Sequence, residues 1–287
     1  IFTASNSNMG LGHFRRMSNL AQFLKFHFKI SFFVLSENQE SLPFMSTDFN
    51  YNYCPNFNEL IKTITDFYPD IILVDLRDTK KDFLLSLKKI SKVITFDNAG
   101  DISYSDYNIN ALPLPEEKKI NANFNGLEYL ILEDNLNLKK KLFPSKKVKN
   151  ILISFGGSDP ANLSEYAYNI FLEIEKKYEI TFVVGPLFKG RTDFSPFKTI
   201  KTENLAEEIA RADLVITGFG MTVFESLFIG TFPVLINPSD YHSTIADRIN
   251  FIHSLGTGGR IEDMDRIKNG IISIINDYEK RHELLRQ

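Results

Sequence analysis

The sequence predicts an α/β protein made of two doubly wound domains that face each other across a cleft. Three observations support this prediction. The chain has 287 residues, enough for two domains of ~100–200 residues each. Short apolar runs alternate with helical patterns through both halves of the chain, as in a parallel sheet with crossover helices. Most of these runs are continuous, which is typical of strands that helices cover on both faces.

The predicted strands and helices follow each other in order along the chain. Runs rich in Ile, Val and Phe predict strands at residues 30–35, 70–74, 93–96, 150–155, 180–184, 214–217 and 232–236. Apolar residues at helical spacing predict helices at residues 14–26, 57–68, 82–90, 160–178, 205–211, 223–229, 243–254 and 266–278. One further strand is predicted at residues 129–132, in the least regular part of the chain.

That irregular part, from about residue 98 to residue 148, predicts the join between the domains. It contains Pro113, Pro115 and Pro144 together with a cluster of Asn residues, a composition typical of connecting segments. We therefore predict one domain over residues 1–147 and a second over residues 148–287. Because doubly wound sheets bind ligands at the carboxyl ends of their strands, the connections that follow the strands are expected to hold the site.

Composition and charge exclude several classes of protein. With 33 basic and 36 acidic residues and 43% hydrophobic residues, the chain is expected to be globular, and neither nucleic acid nor an anionic membrane is an expected partner. No apolar run approaches the ~20 residues of a membrane span, so we expect a cytoplasmic protein. Cys54 is the only cysteine, which excludes an internal disulfide and a Cys-based zinc site. The chain begins without Met, which suggests that a residue or two is missing from its start.

The first candidate site is a glycine-rich connection near the start of the chain. Gly10 and Gly12 follow an apolar strand-like segment and precede a predicted helix. Glycine allows a tight turn there, and the N–H groups at the amino end of a helix favour an anion such as a phosphate. His13 has a ring that can take up or release a proton near neutral pH. A glycine turn without any ligand is an equally open interpretation of this segment alone.

A second glycine turn follows the predicted strand at residues 150–155. Gly156 and Gly157 leave the strand end uncrowded, so that a ligand could reach main-chain N–H groups. Ser158 or Asp159 can cap the next helix, and Pro160 suits its first position. An ordinary connection between a strand and a helix is the alternative.

A third glycine connection follows the predicted strand at residues 214–217. Gly220 and Met221 lead into a helix whose Thr222 could cap the first turn or bond a phosphate oxygen. Glu225 is expected in the first turn, where its carboxylate could accept hydrogen bonds from a ribose diol or only stabilise the helix dipole. His242, in a polar loop before the next helix, could contact a ligand or could be an exposed loop residue.

Three segments, taken in order, carry a resemblance to a known family. They read Met9-Gly10-x-Gly12-His13-x-x-Arg16, Ser154-Phe155-Gly156-Gly157-Ser158-Asp159-Pro160-x-Asn162 and Gly220-Met221-Thr222-Val223-Phe224-Glu225. Together they resemble the UDP-sugar hydrolase family of pseudaminic acid biosynthesis, over nearly the whole chain. That family, like the related lipid-linked N-acetylglucosamine transferase of peptidoglycan synthesis, has two Rossmann-like domains in the glycosyltransferase-B (GT-B) fold. The resemblance implies an enzyme of surface-glycan or nonulosonic acid biosynthesis that acts on a UDP-linked amino or deoxy sugar.

The resemblance also implies roles for individual residues. The histidine of the first motif is catalytic in the hydrolases, and here it is His13, in the domain that would hold the sugar. The second domain would bind the nucleotide, with Glu225 on the ribose. From the residue patterns and the resemblance together, the candidate substrate-binding residues are Gly10, Gly12, Arg16, Asp75, Gly156, Gly157, Ser158, Gly220, Met221, Thr222, Glu225 and His242. The implied reaction is attack of water on the anomeric carbon, which releases UDP and free sugar without a metal ion or organic cofactor.

One departure from the family pattern and one possible metal motif bear on this assignment. The hydrolases typically show an Asp-His-Tyr motif after the third strand, whereas this chain reads Asp75-Leu76-Arg77 and keeps only the aspartate. This difference weakens the substrate assignment more than the fold assignment. Asp263 and Asp265 have the Asp-x-Asp spacing of some metal-dependent sugar transferases, but they precede a helical pattern and are expected to cap it.

Other functions remain open beside hydrolysis, which the sequence favours. A glycosyltransferase of the same fold would deliver the sugar to a hydroxyl acceptor, and the nucleotide motifs cannot separate the two reactions. A protein that binds a UDP-sugar without turnover is a second alternative. A nicotinamide dehydrogenase is disfavoured because the first motif lacks a third glycine. In addition, no acidic residue ends the second strand at the spacing expected for a ribose contact, although Glu37 lies close to that place. The oligomeric state is not indicated.

Overall fold

The structure, a computed structural model, forms two compact units. We call them unit 1 (Ile1–Ile131) and unit 2 (Leu132–Gln287). The residues that the structure describes are 2–4, 12–35, 45–76, 78–98, 100–113, 123–141, 143–174, 177–202 and 204–287. Met9, Gly10 and Leu11 of the first glycine motif lie outside these ranges.

Parallel strands form the sheet of unit 1. They are β1 (Phe2–Ala4), β2 (Ser31–Leu35), β3 (Asn50–Cys54), β4 (Ile71–Asp75), β5 (Lys92–Phe96), β6 (Tyr107–Asn110) and β7 (Phe124–Asn125). Within the described ranges their order is β3-β2-β1-β4-β5-β6-β7, and every neighbouring pair is parallel. The chain winds outward in both directions from β1 and β4, which makes their junction the topological switch point of the sheet.

Helices cover both faces of this sheet. They are α1 (Gly12–Leu24), α2 (Phe57–Phe67) and α3 (Lys81–Lys88). Side chains of neighbouring residues in a strand point to opposite faces. Leu60 and Ile64 of α2 share a core cluster with Phe33, while Phe14 of α1 contacts the ring of Phe32 on the other face. The doubly wound arrangement predicted from the continuous apolar runs is therefore present in unit 1.

Unit 2 repeats the same plan. Its strands are β8 (Asn150–Ile153), β9 (Glu179–Val183), β10 (Lys198–Ile200), β11 (Leu214–Thr217), β12 (Phe232–Asn237) and β13 (His253–Thr257). In the described part of the chain they lie in the order β10-β9-β8-β11-β12-β13, again with every neighbouring pair parallel. The switch point of this sheet lies between β8 and β11.

Two core clusters lie on opposite faces of the unit 2 sheet. The helices are α4 (Leu163–Leu172), α5 (Leu205–Arg211), α6 (Met221–Ile229), α7 (Asp240–Ala246), α8 (Met264–Asn276) and α9 (Tyr278–Arg286). Ile151 and Ile153 of β8 join the cluster that contains α4 and α8, whereas Leu152 joins the cluster that contains α5. No helix among the described residues combines the length and the apolar content that crossing a bilayer requires.

Residues 132 to 147, which the sequence analysis assigned to the first domain, group with unit 2. Leu136 is buried in a core cluster with Leu152 and Ile209. The Lys141 N–H donates to Ile229 O at 2.6 Å. The chain passes from one compact unit to the other at Ile131 and Leu132.

Several element boundaries differ from the sequence prediction. The strand predicted at residues 129–132 is wrong, because Leu127–Tyr129 form a short 3-10 helix. The helix predicted at residues 243–254 is wrong in its second half, since α7 ends at Ala246 and residues 253 and 254 belong to β13. His242 accordingly lies in a helix and not in a loop.

Candidate active site

At the switch point of unit 1 a histidine and an aspartate meet. His13 is the second residue of α1, which follows β1, and Asp75 is the last residue of β4. Since β1 and β4 are paired, both side chains lie at the same edge of the sheet. His13 Nδ1 lies 2.7 Å from Asp75 Oδ1. The His13 side chain is 24% exposed and that of Asp75 is 0% exposed, so the imidazole is partly open to solvent and the carboxylate lies buried behind it.

Arg16, one turn further along α1, binds the same carboxylate. Its Nε donates to Asp75 Oδ2 at 2.9 Å and its Nη2 donates to Asp75 Oδ1 at 2.6 Å, a bidentate contact. Its Nη1 donates to Asp97 Oδ2. Arg16 is itself buried. Arg16 and Asp75, both candidate substrate-binding residues from the sequence, thus direct their charges to each other.

Asp97 holds the far side of the Arg16 guanidinium. It follows β5 directly and has a φ of +41°, in the left-handed region. Its Oδ1 accepts hydrogen bonds from the N–H groups of Ala111 at 2.6 Å and Leu112 at 3.0 Å, just after β6. The cluster His13, Asp75, Arg16 and Asp97, which we call the dyad cluster, therefore joins α1 to the ends of three strands.

Burial and charge have opposite effects on the ionisation of this cluster. Burial would raise the pKa of Asp75, but the charge of Arg16 and the contact with His13 outweigh it and hold the pKa at about 2. Burial would lower the pKa of Arg16, but the carboxylates of Asp75 and Asp97 raise it above its ordinary value. Asp75 is therefore a carboxylate and Arg16 a cation throughout the neutral pH range.

The contact between His13 and Asp75 determines which ring nitrogen of His13 carries the proton. The ionised Asp75 can only accept a hydrogen bond, so Nδ1 of His13 carries the proton between them. In the neutral ring Nε2 is then the acceptor, and it can take a proton from an O–H group. The carboxylate stabilises the imidazolium that forms in that step. The cluster can therefore activate water or a hydroxyl group as a nucleophile.

The depressed pKa of Asp75 predicts how stability depends on acid. A carboxyl group with a pKa near 2 in the folded state and ~3.9 in the unfolded state stabilises the fold fully above about pH 4. That contribution falls as the pH drops from 4 toward 2. We expect the difference in free energy of unfolding between the wild type and Asp75→Asn, measured in urea, to shrink between pH 5 and pH 3. A difference that stays constant over this range would contradict the assignment.

In unit 2 the second glycine turn follows β8 at the switch point. Gly156 has a φ of +82°, which favours glycine, and a Cβ added there would meet nothing within 4 Å. The turn is braced from one side, because Leu187 N donates to Gly157 O at 2.9 Å. Gly185 fits against the same turn, where a Cβ would approach Gly157 O at 2.4 Å. The turn is thus supported on one side and open at Gly156.

Asp159 occupies the amino end of α4. Its two carboxylate oxygens accept hydrogen bonds from the N–H groups of Leu163 at 2.9 Å and Ser164 at 2.8 Å. The helix begins at Leu163 and not at Pro160 as predicted. Because a buried carboxylate already fills this helix end, a second anion is disfavoured there. Asp159 is thus the capping residue, while Ser158 lies buried before it.

The third glycine turn, between β11 and α6, leads into a helix that lacks the carboxylate cap found at α4. Among the described residues no side chain caps α6, and its first turn holds no acidic residue. A Cβ added at Gly220 would meet nothing within 4 Å. Met221 and Thr222 open the helix and are partly exposed. Since the first N–H groups of a helix have no partner within it, this end, unlike that of α4, is suited to an anion.

Asn237, at the end of β12, fixes this third turn. Its Oδ1 accepts from Phe219 N at 3.0 Å, and its Nδ2 donates to Ser243 Oγ at 3.2 Å and to Ser254 Oγ at 3.0 Å. The side chain is completely buried. The turn before Gly220 is therefore tied to α7 and β13 through one amide.

The two remaining candidates of unit 2 lie apart from their predicted positions. Glu225 is the fifth residue of α6, beyond the first turn, and is 1% exposed. The prediction that it lies in the first turn is wrong, because α6 begins at Met221. His242 lies in the first turn of α7, and its Nδ1 is 2.7 Å from Ser239 Oγ.

The acidic residues of the described chain do not form a metal site. Within the described ranges no group of three or more His, Cys, Asp or Glu side chains has a metal-binding arrangement. Asp263 accepts from Arg266 at 3.0 Å and Asp265 pairs with Lys268 at 2.7 Å. Both carboxylates of the Asp-x-Asp segment therefore have basic partners in the same helical turn.

The structure thus brings together in unit 1 three of the described candidates, His13, Arg16 and Asp75, while Gly12 begins the same helix. Asp97 and Asn237 are the polar residues whose roles the sequence analysis did not assign. Both come at the carboxyl ends of strands, as Asp75 does. A polar residue ending an apolar strand is the signal that could have identified them.

Comparison with known proteins places the chain beside one archaeal and one bacterial protein, and no family model matches it. It is 33% identical over 264 residues to the uncharacterised protein MJ1062 of Methanocaldococcus jannaschii, covering 82% of this chain and 54% of that protein. It is 26% identical over 268 residues to the spore coat polysaccharide biosynthesis protein SpsG of Bacillus subtilis, covering 85% of this chain and 78% of that protein. The chain spans about half the length of the archaeal relative.

Solved structures share the fold over nearly the whole chain. UGT2 of Phytolacca americana, solved with UDP-2fluoro-glucose and pterostilbene, aligns with a TM-score of 0.63 at 12% identity, over 96% of this chain and 91% of that one. A UDP-N-acetylglucosamine 2-epimerase aligns with a TM-score of 0.57 at 12% identity, over 99% of this chain and 89% of that one. At such identities the likeness concerns the fold alone. Together with the strand order of both sheets, it shows that this chain has the GT-B fold, with two Rossmann-like units.

Proposed function

We propose that this chain is an enzyme that transfers a sugar from a nucleoside diphosphate, UDP, to a hydroxyl acceptor in polysaccharide biosynthesis. The observation that carries the proposal is the contact between His13 Nδ1 and Asp75 Oδ1 at the switch point of unit 1. A partly exposed imidazole with a buried carboxylate behind it suits the activation of an O–H nucleophile. The similarity to SpsG, a spore coat polysaccharide biosynthesis protein, supports a role in glycan assembly.

The proposed reaction uses groups that this chain supplies. Nε2 of His13 takes the proton of the acceptor hydroxyl as its oxygen attacks the anomeric carbon of the sugar. The bond between that carbon and the diphosphate oxygen breaks, and UDP leaves with the electron pair. We propose separately that N–H groups at the amino end of α6 bind the diphosphate of the nucleotide. We assign the diphosphate to α6 and not to α4, because Asp159 fills the amino end of α4.

Hydrolysis is the second candidate, favoured by the motif around His13 and Arg16 that resembles the UDP-sugar hydrolases. The same dyad would then activate water. The solved neighbours named as glycosyltransferases, among them the calicheamicin glycosyltransferase CalG4 with a TM-score of 0.61, support transfer as the first choice. Glu225 as a ribose contact and His242 as a ligand contact stay proposals under either reaction.

One assay separates these reactions. UDP release would be measured from a panel of UDP-amino sugars, each with and without candidate sugar acceptors, and the products would be identified by NMR. Transfer predicts release that depends on an acceptor and yields a new glycoside. Release without acceptor that yields free sugar would establish hydrolysis instead. Binding without release, or conversion to an epimer of the UDP-sugar, would contradict both.

Gly220→Ala tests the assignment of the diphosphate to α6. The backbone φ of 170° at Gly220 is extended, and the added methyl group would meet no atom within 4 Å. We therefore expect thermal unfolding to be nearly unchanged. The methyl group would crowd a diphosphate held by the N–H groups of Met221 and Thr222, so we expect about tenfold weaker UDP binding, or ~1.4 kcal/mol, in calorimetric titration. Unchanged UDP affinity would place the diphosphate elsewhere.

A further inference from the structure

The buried charges behind His13 do not cancel. Asp75 and Asp97 contribute two negative charges, and Arg16 contributes one positive charge. Arg16 contacts both carboxylates, through Nε and Nη2 on Asp75 and through Nη1 on Asp97. Without Asp97, the guanidinium would face Asp75 alone and would neutralise the charge that polarises the imidazole.

We propose that Asp97 is a positioning residue of the reaction, which holds Arg16 from its far side so that the Asp75 carboxylate stays directed at His13. The kinetic consequence rests on the proposed function, whereas the consequence for the imidazole rests on the geometry alone. The two carboxylate oxygens of Asp97 have different hydrogen-bond partners. Oδ1 accepts from the N–H groups of Ala111 and Leu112, while Oδ2 accepts from Arg16.

Asp97→Asn removes the charge and keeps most of the local structure. Asparagine tolerates the left-handed backbone that Asp97 adopts. Its side-chain oxygen can still accept from the two main-chain N–H groups, but its amide nitrogen cannot accept from Arg16. We expect kcat to fall about 10- to 100-fold with KM nearly unchanged, as for groups that orient a catalytic residue from behind.

A double variant separates positioning from mere folding. In Arg16→Met with Asp97→Asn both the cation and its second carboxylate are gone, so Asp75 again faces His13 with an uncompensated negative charge. The proposal predicts that this double variant recovers part of the activity that Asp97→Asn loses. If Asp97 served only the fold, the double variant would be at least as impaired as the single one. Asp101→Asn is the matched control, because Asp101 also follows β5 but is exposed and accepts from Lys81 N at 2.8 Å.

The imidazole itself provides a readout that needs no substrate. In the full-length protein the Nδ1 proton of His13 can be observed by NMR, because it is held between the ring and Asp75. A strongly polarised proton resonates far downfield. We expect this resonance to move upfield in Asp97→Asn, to return downfield in the double variant and to stay in place in Asp101→Asn.

The outcomes are distinguishable. A shift of the Nδ1 proton that reverses in the double variant supports the proposal, even if none of the UDP-sugars is turned over and the proposed function fails. An Asp97→Asn protein with wild-type kcat and an unshifted Nδ1 proton would overturn it. A shift that does not reverse in the double variant would also overturn it, since a purely structural role would then suffice.

Discussion

His13→Gln is expected to abolish most of the activity while leaving the fold intact. Glutamine fills a similar space but cannot take up the acceptor proton, and general base catalysis is typically worth 10²–10⁴-fold in rate. We expect kcat for UDP release to fall by about that factor, with KM and UDP affinity little changed, because the side chain acts on the nucleophile and not on the nucleotide. Initial rates over a range of substrate concentrations measure both quantities.

The matched control for this variant is His27→Gln. His27 follows the same helix, α1, but is exposed and lies at its opposite end. We expect it to retain the wild-type rate. A loss of less than about tenfold in His13→Gln, or an equal loss in both variants, would show that His13 is not the base.

Arg16→Met is expected to cause a large loss of stability. The substitution leaves Asp75 and Asp97 as neighbouring buried carboxylates without the cation that both contact. Removing one partner from a buried ion pair typically costs 3–5 kcal/mol, because the remaining charge is left uncompensated. We expect the free energy of unfolding in urea to fall by about that amount at pH 7, and to recover in part when Asp97→Asn is added.

Arg15→Met provides the comparison, since Arg15 precedes Arg16 in α1 and is partly exposed. Its replacement is expected to change the free energy of unfolding by less than about 1 kcal/mol. Equal effects of the two substitutions would contradict the assignment of Arg16 to a buried cluster.

The sequence predicts the central strands well and the outer ones poorly. β11 has the predicted bounds, Leu214–Thr217, because a strand covered on both faces is a continuous apolar run. β3 was missed, since it reads Asn-Tyr-Asn-Tyr-Cys and lies at the edge of the unit 1 sheet. β13, also an edge strand, contains a histidine, a serine and a glycine. Edge strands bury less surface and therefore carry a weaker apolar pattern.

The candidate site shows a similar division between local and tertiary information. The two glycine turns of unit 2 and the place of His13 at the start of α1 could be predicted, because a strand, a turn and the first turn of a helix are consecutive in the sequence. The partners of Arg16 could not be predicted from the sequence, because Asp75 and Asp97 lie 59 and 81 positions away in the chain. Asp159 was one of two residues that the sequence proposed as the cap of α4, and the N–H groups of Leu163 and Ser164 donate to its carboxylate.

A crystal structure of His13→Gln with a bound UDP-sugar would test the central proposal most directly. We predict that the anomeric carbon of the sugar faces the side chain at position 13, with room for an incoming hydroxyl group. A sugar whose anomeric carbon lies beyond the reach of position 13 would contradict the proposal.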